Sequence, residues 1–235
     1  MPILGTPFSI GRNMIKTAIL VDGSFFLRRY YYFWGAENAR NPEKAANDLW
    51  AHCIKHIDKD REQIYRIYFY DCPPLEKKVH YPVSRKAVDL SKSETCLFRK
   101  EFHKRLIQKP YLALRLGYLD EKNANWIIKD SKINKKVISG TISAASLSDE
   151  LFYYQANQKG VDMKIGLDIA SLAYKKLANK IVLIAGDSDF VPAAKLARRE
   201  GLHFILDPMH NMIREDLKEH IDGLKTTLPK RKIKP

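Results

Sequence analysis

The apolar residues of this chain gather into short runs, and several of the runs stop at an aspartate. Residues 181–185 (IVLIA) are five apolar positions in succession, mostly β-branched, the pattern of a strand buried on both faces. The run breaks at Gly186 and presents Asp187, Ser188 and Asp189 before a helical pattern resumes. Residues 17–21 (TAILV) repeat the arrangement and end at Asp22, Gly23 and Ser24. Residues 66–70 (RIYFY) end at Asp71, and residues 203–206 (HFIL) end at Asp207.

Between these strands the period changes to that of helices. An aromatic stretch, 25–35 (FFLRRYYYFWG), carries Arg28 and Arg29; core packing is its ordinary reading, and base stacking with phosphate contact the alternative. A helix over 42–60 follows, with Asn41 as cap and Pro42 in its first turn. Residues 95–108 have apolar positions at helical spacing, with Arg99, Lys100, Lys104 and Arg105 on the other face. Strand-like alternation covers 111–119, 126–129 and the basic stretch 135–138. A helix over 163–179 buries Ile165, Ile169, Leu172, Ala173 and Leu177, another runs 191–200 to Gly201, and 209–224 reads as helical. Strand–helix alternation from 17 to 206 predicts a central parallel sheet with helices on both faces, an α/β domain over 17–222. A small β-containing insertion spans about 75–158, a leader precedes the domain at 1–16, and a basic tail follows at 223–235.

Composition narrows the partners. The 235 residues carry 41 Lys+Arg against 27 Asp+Glu, a net charge of +14, which favours a polyanion such as nucleic acid through counterion release. No apolar run approaches the ~20 residues of a membrane span, and the first residues lack a signal-peptide layout. Cys53, Cys72 and Cys96 are odd in number and widely spaced, which points to a reducing cytoplasm rather than a disulfide framework. The sequence is compatible with an oligomer and carries no signal for one.

The candidate chemistry is acidic. Asp187 and Asp189 repel each other at a strand's carboxyl end, where open α/β sheets bind ligands, and they stay ionised most easily around a cation. One of them capping the next helix is the simpler alternative. Asp162 stands at the first turn of the 163–179 helix, and Asp168 projects toward its apolar side, where it needs a hydrogen-bond network or a metal. Asp71, before Cys72-Pro73-Pro74, reads as a turn residue or as the rim of the site. His52 and His56 are at i, i+4 but lack the Glu of a zinc-protease arrangement, so they read as a packing or solvated pair. Neither a GxGxxG loop nor a GxxxxGK[ST] loop is present, which removes the commonest competing uses of such a sheet.

Three stretches in order, VDGS at 21–24, KGVDMKIGLDIA at 159–170 and GDSDFVP at 186–192, resemble the motifs of the NYN domain family. That family belongs to the PIN-like nuclease group, which includes the LabA-like bacterial proteins. The resemblance extends over 17–222 and implies a three-layer α/β/α PIN-like, Rossmann-like fold. It also implies a Mg²⁺- or Mn²⁺-dependent ribonuclease acting on single-stranded or structured RNA. Carried onto this chain, Asp22, Asp162, Asp187 and Asp189 are the expected catalytic and metal-holding residues, with Asp168 a further metal candidate. Ser24, Arg28, Arg29, Lys159 and Ser188 are the expected nucleic-acid contacts. One position departs: where the family often has Asn after VDGS, this chain has Phe25. The rival readings are a non-catalytic RNA-binding module of the same fold and a metal-dependent phosphohydrolase. The second is disfavoured because no Asp lies two residues after Asp22.

Overall fold

The computed structural model describes residues 14–229, apart from the side chain of Ser188. The chain builds β1 (Ile15–Asp22), α1 (Gly23–Ala39), α2 (Pro42–Ile54), β2 (Glu62–Asp71), β3 (Lys78–His80) and β4 (Ala87–Asp89). It continues through α3 (Glu94–Leu106), β5 (Leu112–Leu116), β6 (Tyr118–Ile128), α4 (Ser131–Ile138) and β7 (Phe152–Lys159). Last come α5 (Val161–Tyr174), β8 (Lys180–Ile184), α6 (Val191–Arg199), β9 (His203–Asp207), α7 (Glu215–Lys218) and β10 (Gly223–Leu224). Six strands form one parallel sheet in the order β10-β9-β8-β1-β2-β5, so the α/β expectation holds.

Each central strand feeds two cores, because successive side chains point to opposite faces. Ala18 and Leu20 of β1, with Ile181 and Leu183 of β8, pack against Ile165, Ile169 and Leu172 of α5 and Ala194 of α6. Ile19 and Val21, with Val182 and Ile184, pack against Phe26 and Tyr30 of α1, Leu49 of α2 and Phe102 of α3. The sheet therefore lies between a layer of α1, α2 and α3 and a layer of α5, α6 and α7. From β1 the chain winds to β2 and β5 on one side, whereas β8, β9 and β10 extend the other side. The reversal falls between β1 and β8, and the crevice at their carboxyl ends is the fold's natural ligand site.

Several boundaries differ from expectation; among them, α2 stops at Ile54 rather than 60 and α5 at Tyr174 rather than 179. The 75–158 span is two excursions, the β3–β4 hairpin and the β6–β7 hairpin with α4. Between them α3 and β5 belong to the main body: Phe102 and Leu106 are fully buried, and β5 pairs with β2. Residues 135–138 are helical, since Asp130 caps α4 through the Lys132 amide at 2.7 Å and no partner strand is at hand for their β-branched side chains. Within 209–224 only α7 is helical, because Met209 (φ 45°) and His210 (φ 58°) turn the chain first. The expected basic tail, 223–235, is docked as far as Leu228, which is buried, and β10 pairs with β9. The predicted leader falls almost wholly outside the described residues, and β1 begins at Ile15.

Candidate active site

Two motif loops and one helix start meet at the reversal between β1 and β8. Val21 and Ile184 are register partners, so Asp22 and the Gly186–Asp189 loop leave the sheet side by side. Asp22 accepts the Phe25 amide through Oδ1 at 3.1 Å and so caps α1. The glycines allow close approach: a Cβ on Gly23 would lie 2.4 Å from the Tyr70 carbonyl oxygen, and one on Gly186 would lie 2.4 Å from the Phe25 ring. Phe25 is buried between the two loops, so the residue that departs from the motif is a packing wedge here.

Asp162 reaches the same edge by way of the insertion. The chain leaves the sheet at Leu116, runs out along β6 and back along β7, and closes with Tyr118 paired to Lys159. This returns the backbone to the start of α5, where Asp162 is the second helical residue and Gly160 the cap. Asp187 and Asp189 are exposed on the neighbouring loop. Asp187 Oδ1 accepts the Asp189 amide at 3.1 Å within a 3₁₀ turn, whereas α6 has no side-chain cap, so neither aspartate caps that helix.

The carboxylates sense one another. Burial raises the Asp22 carboxyl above its ordinary value, the Phe25 amide opposes this, and the charge of Asp162 raises it again. Asp162 is raised by desolvation and then by the charges of Asp187 and Asp189. Asp162 thus links the strand-end Asp22 to the loop pair. Among the described residues, no three of these four bring carboxylate oxygens within 4.8 Å of one another; the one group of three that is this compact lies elsewhere.

The other expected residues divide. Arg28 is exposed, and its charge acts on Asp22; Ser24 Oγ donates to Gln158 Oε1 of β7 at 2.7 Å. Lys159 is exposed three residues before Asp162. Ser188 has a described backbone only. Arg29 is not brought to the cluster: its guanidinium donates to the Met209 carbonyl at 2.6 and 3.1 Å and lies over the Tyr32 and Phe33 rings. Asp168 takes the network of its two alternatives, accepting Tyr70 Oη at 2.8 Å and pairing with Arg115 Nε at 3.2 Å.

Arg99 was missed as a site residue. It lies on α3, is held by the buried Asp71, and lines two cavities at once. One, about 420 Å³, is bounded by Ser24, Leu27, Arg28, Tyr31 and Arg99. The other, about 470 Å³, runs under the insertion past Tyr81, Trp126, Phe152, Tyr154 and Gln158. His103 Nε2 meets the same Asp71 at 2.8 Å. Burial pushes the Asp71 carboxyl up, but His103 and Arg99 overcome it and hold the group below its ordinary value. The i, i+4 spacing of Arg99 and His103 was a usable signal, but their shared partner lies 28 and 32 residues away.

The chain is an α/β domain whose acidic residues gather at its topological reversal, an arrangement that several classes of protein share. The NYN domain family matches residues 99–223, just over half of the chain, and the chain belongs to that family. The match includes Asp162, Asp187 and Asp189 and stops short of β1 and Asp22. NYN domains are in general nuclease-like and act on RNA. No curated protein matches this chain. A solved structure of a protein of unknown function from Vibrio parahaemolyticus is similar at 13% identity and a TM-score of 0.45, covering 90% of this chain and 91% of that one. That likeness is too distant to bear on function. No helix among the described residues is long and apolar enough to cross a membrane.

Proposed function

We propose that this chain is a metal-dependent ribonuclease that hydrolyses RNA phosphodiester bonds at Asp22, Asp162, Asp187 and Asp189. The observation that carries the reading is the meeting of four aspartates at the β1/β8 reversal, with Asp22 and Asp162 raised in part by their neighbours' charge. An all-oxygen donor set suits a hard cation such as Mg²⁺ or Mn²⁺. Asp22, Asp162, Asp187 and Asp189 would hold such an ion together with water, and it would supply a water of lowered pKa and neutralise charge on the leaving oxygen.

The chain's own residues do the rest. Arg28 and Arg99 line the cavity beside Ser24 and hold the phosphates flanking the scissile one. Asp71 keeps the Arg99 guanidinium aimed, and Phe25 fixes the spacing of the two acidic loops. The cavity past Tyr81, Trp126 and Tyr154 offers aromatic faces and Lys129 to an unpaired strand. Three free, buried cysteines support a reducing cytoplasmic setting.

A second reading, an RNA-binding module without turnover, draws on the loose spacing of the carboxylates. Titration of Mg²⁺ and Mn²⁺ with labelled RNA and DNA, for wild type and Asp187→Asn, decides between them. The nuclease predicts metal-dependent RNA cleavage that falls by more than the ~10–100-fold typical of losing an outer-shell partner. Equal degradation by both proteins overturns the assignment, and binding without cleavage selects the module. Phosphate release from a simple monoester, with RNA untouched, selects a phosphohydrolase instead.

A further inference from the structure

A second group of potential ligands lies on the opposite face of the sheet, where the nuclease reading gives it no part. His52, in the last turn of α2, and His56, in the turn that follows, project onto Asp207, the last residue of β9, and all three are buried. Their Nε2 atoms lie 2.9 and 2.8 Å from the same oxygen, Asp207 Oδ2. Among the described residues this is the one group of three His, Cys, Asp or Glu side chains whose ligand atoms fall within 4.8 Å of one another.

Hydrogen bonding leaves the group incomplete. His52 Nε2 is buried and lies close to Asp207 but out of line for a hydrogen bond, so it has no partner, and His56 Nδ1 has none either. A buried imidazole nitrogen aimed into a cluster and left unmatched is uncommon, because it forfeits its hydration without replacement. The surroundings are arranged as for a metal ligand set. His52 Nδ1 lies 2.8 Å from Thr227 Oγ1; donation from that nitrogen leaves the Nε2 lone pair facing Asp207. Asp207 Oδ1 accepts the Met209 amide and the Thr226 hydroxyl, each at 2.8 Å, which orients the carboxylate and leaves Oδ2 to the histidines. Lys225 Nζ donates to the His56 carbonyl at 3.3 Å. Ligand atoms that share a tetrahedral zinc ion lie roughly 3.3 Å apart, so each histidine needs to move from the Asp207 oxygen by only about half an ångström.

We propose that His52 Nε2, His56 Nε2 and Asp207 Oδ2 bind a first-row divalent ion, with Zn²⁺ the best match to two imidazoles and a carboxylate. Such an ion joins α2, β9 and the 225–228 segment, and its role is structural. This inference does not depend on the nuclease reading, since the acidic crevice contains neither histidine.

The test uses the full chain, untagged and purified without chelator, with bound metals measured by elemental analysis. About one zinc per chain is expected in the wild type and in Asp187→Asn, and at least about tenfold less in His56→Gln. Metal-stripped wild type titrated with Co²⁺ should develop visible ligand-field bands that Zn²⁺ abolishes. The same bands should appear with Asp187→Asn. A folded wild type that takes up neither Zn²⁺ nor Co²⁺ overturns the proposal, as does uptake that Asp187→Asn removes. The wild-type titration decides even if His56→Gln fails to fold.

Discussion

The acidic crevice and the His52–His56–Asp207 cluster both begin with an aspartate at the carboxyl end of a parallel strand, yet they are opposite in character. Asp22 stands one row beyond Val21, whereas Asp207 shares the row of Ile184 and Val21, and Asp71 stands one row beyond Asp22's partner Tyr70. A shift of one residue turns a side chain to the other face of a sheet. Asp22 therefore follows Leu20 to the α5 side, where the crevice is open and its neighbours are carboxylates. Asp207 and Asp71 follow Ile205 and Phe69 to the side covered by α1, α2 and α3, where imidazoles and a guanidinium meet them. The electrostatic outcomes are inverted. Asp22 and Asp162 are raised, while Asp207 is lowered because His52 and His56 overcome its burial. Crowding like charges leaves an open edge of raised carboxyls, and setting imidazoles against a carboxylate under a helix layer closes a corner.

The contrast is broken most severely at Asp207. Asp207→Ala removes the hydrogen bond to His56, the close contact of His52 and the acceptor of two donors, and should cost about 3–5 kcal/mol in urea unfolding. Asp187→Asn, on the exposed loop, should stay within ~0.5 kcal/mol of wild type in the same measurement. Comparable losses in the two variants would dissolve the distinction between an open and a closed site.

Acid sharpens it next. The folded-state carboxyl of Asp71 lies below its ordinary 3.8, so the unfolded chain takes up the proton more readily. Its contribution to stability is complete above the ordinary carboxylate range and disappears as pH falls through the lowered value. Asp22 has the opposite sign: its raised carboxyl disfavours the fold at neutral pH and stops doing so as it protonates. Urea midpoints followed from neutral pH downward, with chelator present, should therefore fall less steeply for Asp71→Asn than for wild type. An unchanged slope removes Asp71 from the acid-labile corner.

Smaller effects probe the junction between the two faces. Arg99→Ala should weaken RNA binding severalfold, uniformly across sequences, and reduce the salt slope of log K by about 1, as for one lost phosphate contact. An unaltered salt slope leaves Arg99 with a purely structural role beside Asp71. A modest loss is expected for Tyr70→Phe, which removes one hydrogen bond to Asp168 but keeps the Arg115 pair, about 0.5–1.5 kcal/mol.

Local sequence determined where the central strands β1, β2, β8 and β9 run and that β1, β2 and β9 end in aspartate, because apolar runs, caps and glycines act over a few residues. It also carried the three motifs and hence the family and the four crevice aspartates. Which aspartate faces which layer was decided by tertiary structure alone. Strands buried on both faces carry no polar alternation to reveal their parity, and the register between β1, β2, β8 and β9 is set by segments far apart in the chain. His52 and His56 read as a packing or solvated pair for the same reason. Their partner Asp207 is 151 residues from His56, and only the closed sheet brings it to them. Asp168 had two possible partners in sequence and found Tyr70 and Arg115, and Arg99 became a candidate only when α3 packed beside Asp71. Short-range patterns specify elements, but charges find their partners only across the assembled sheet, where burial makes an unpaired group too costly to leave.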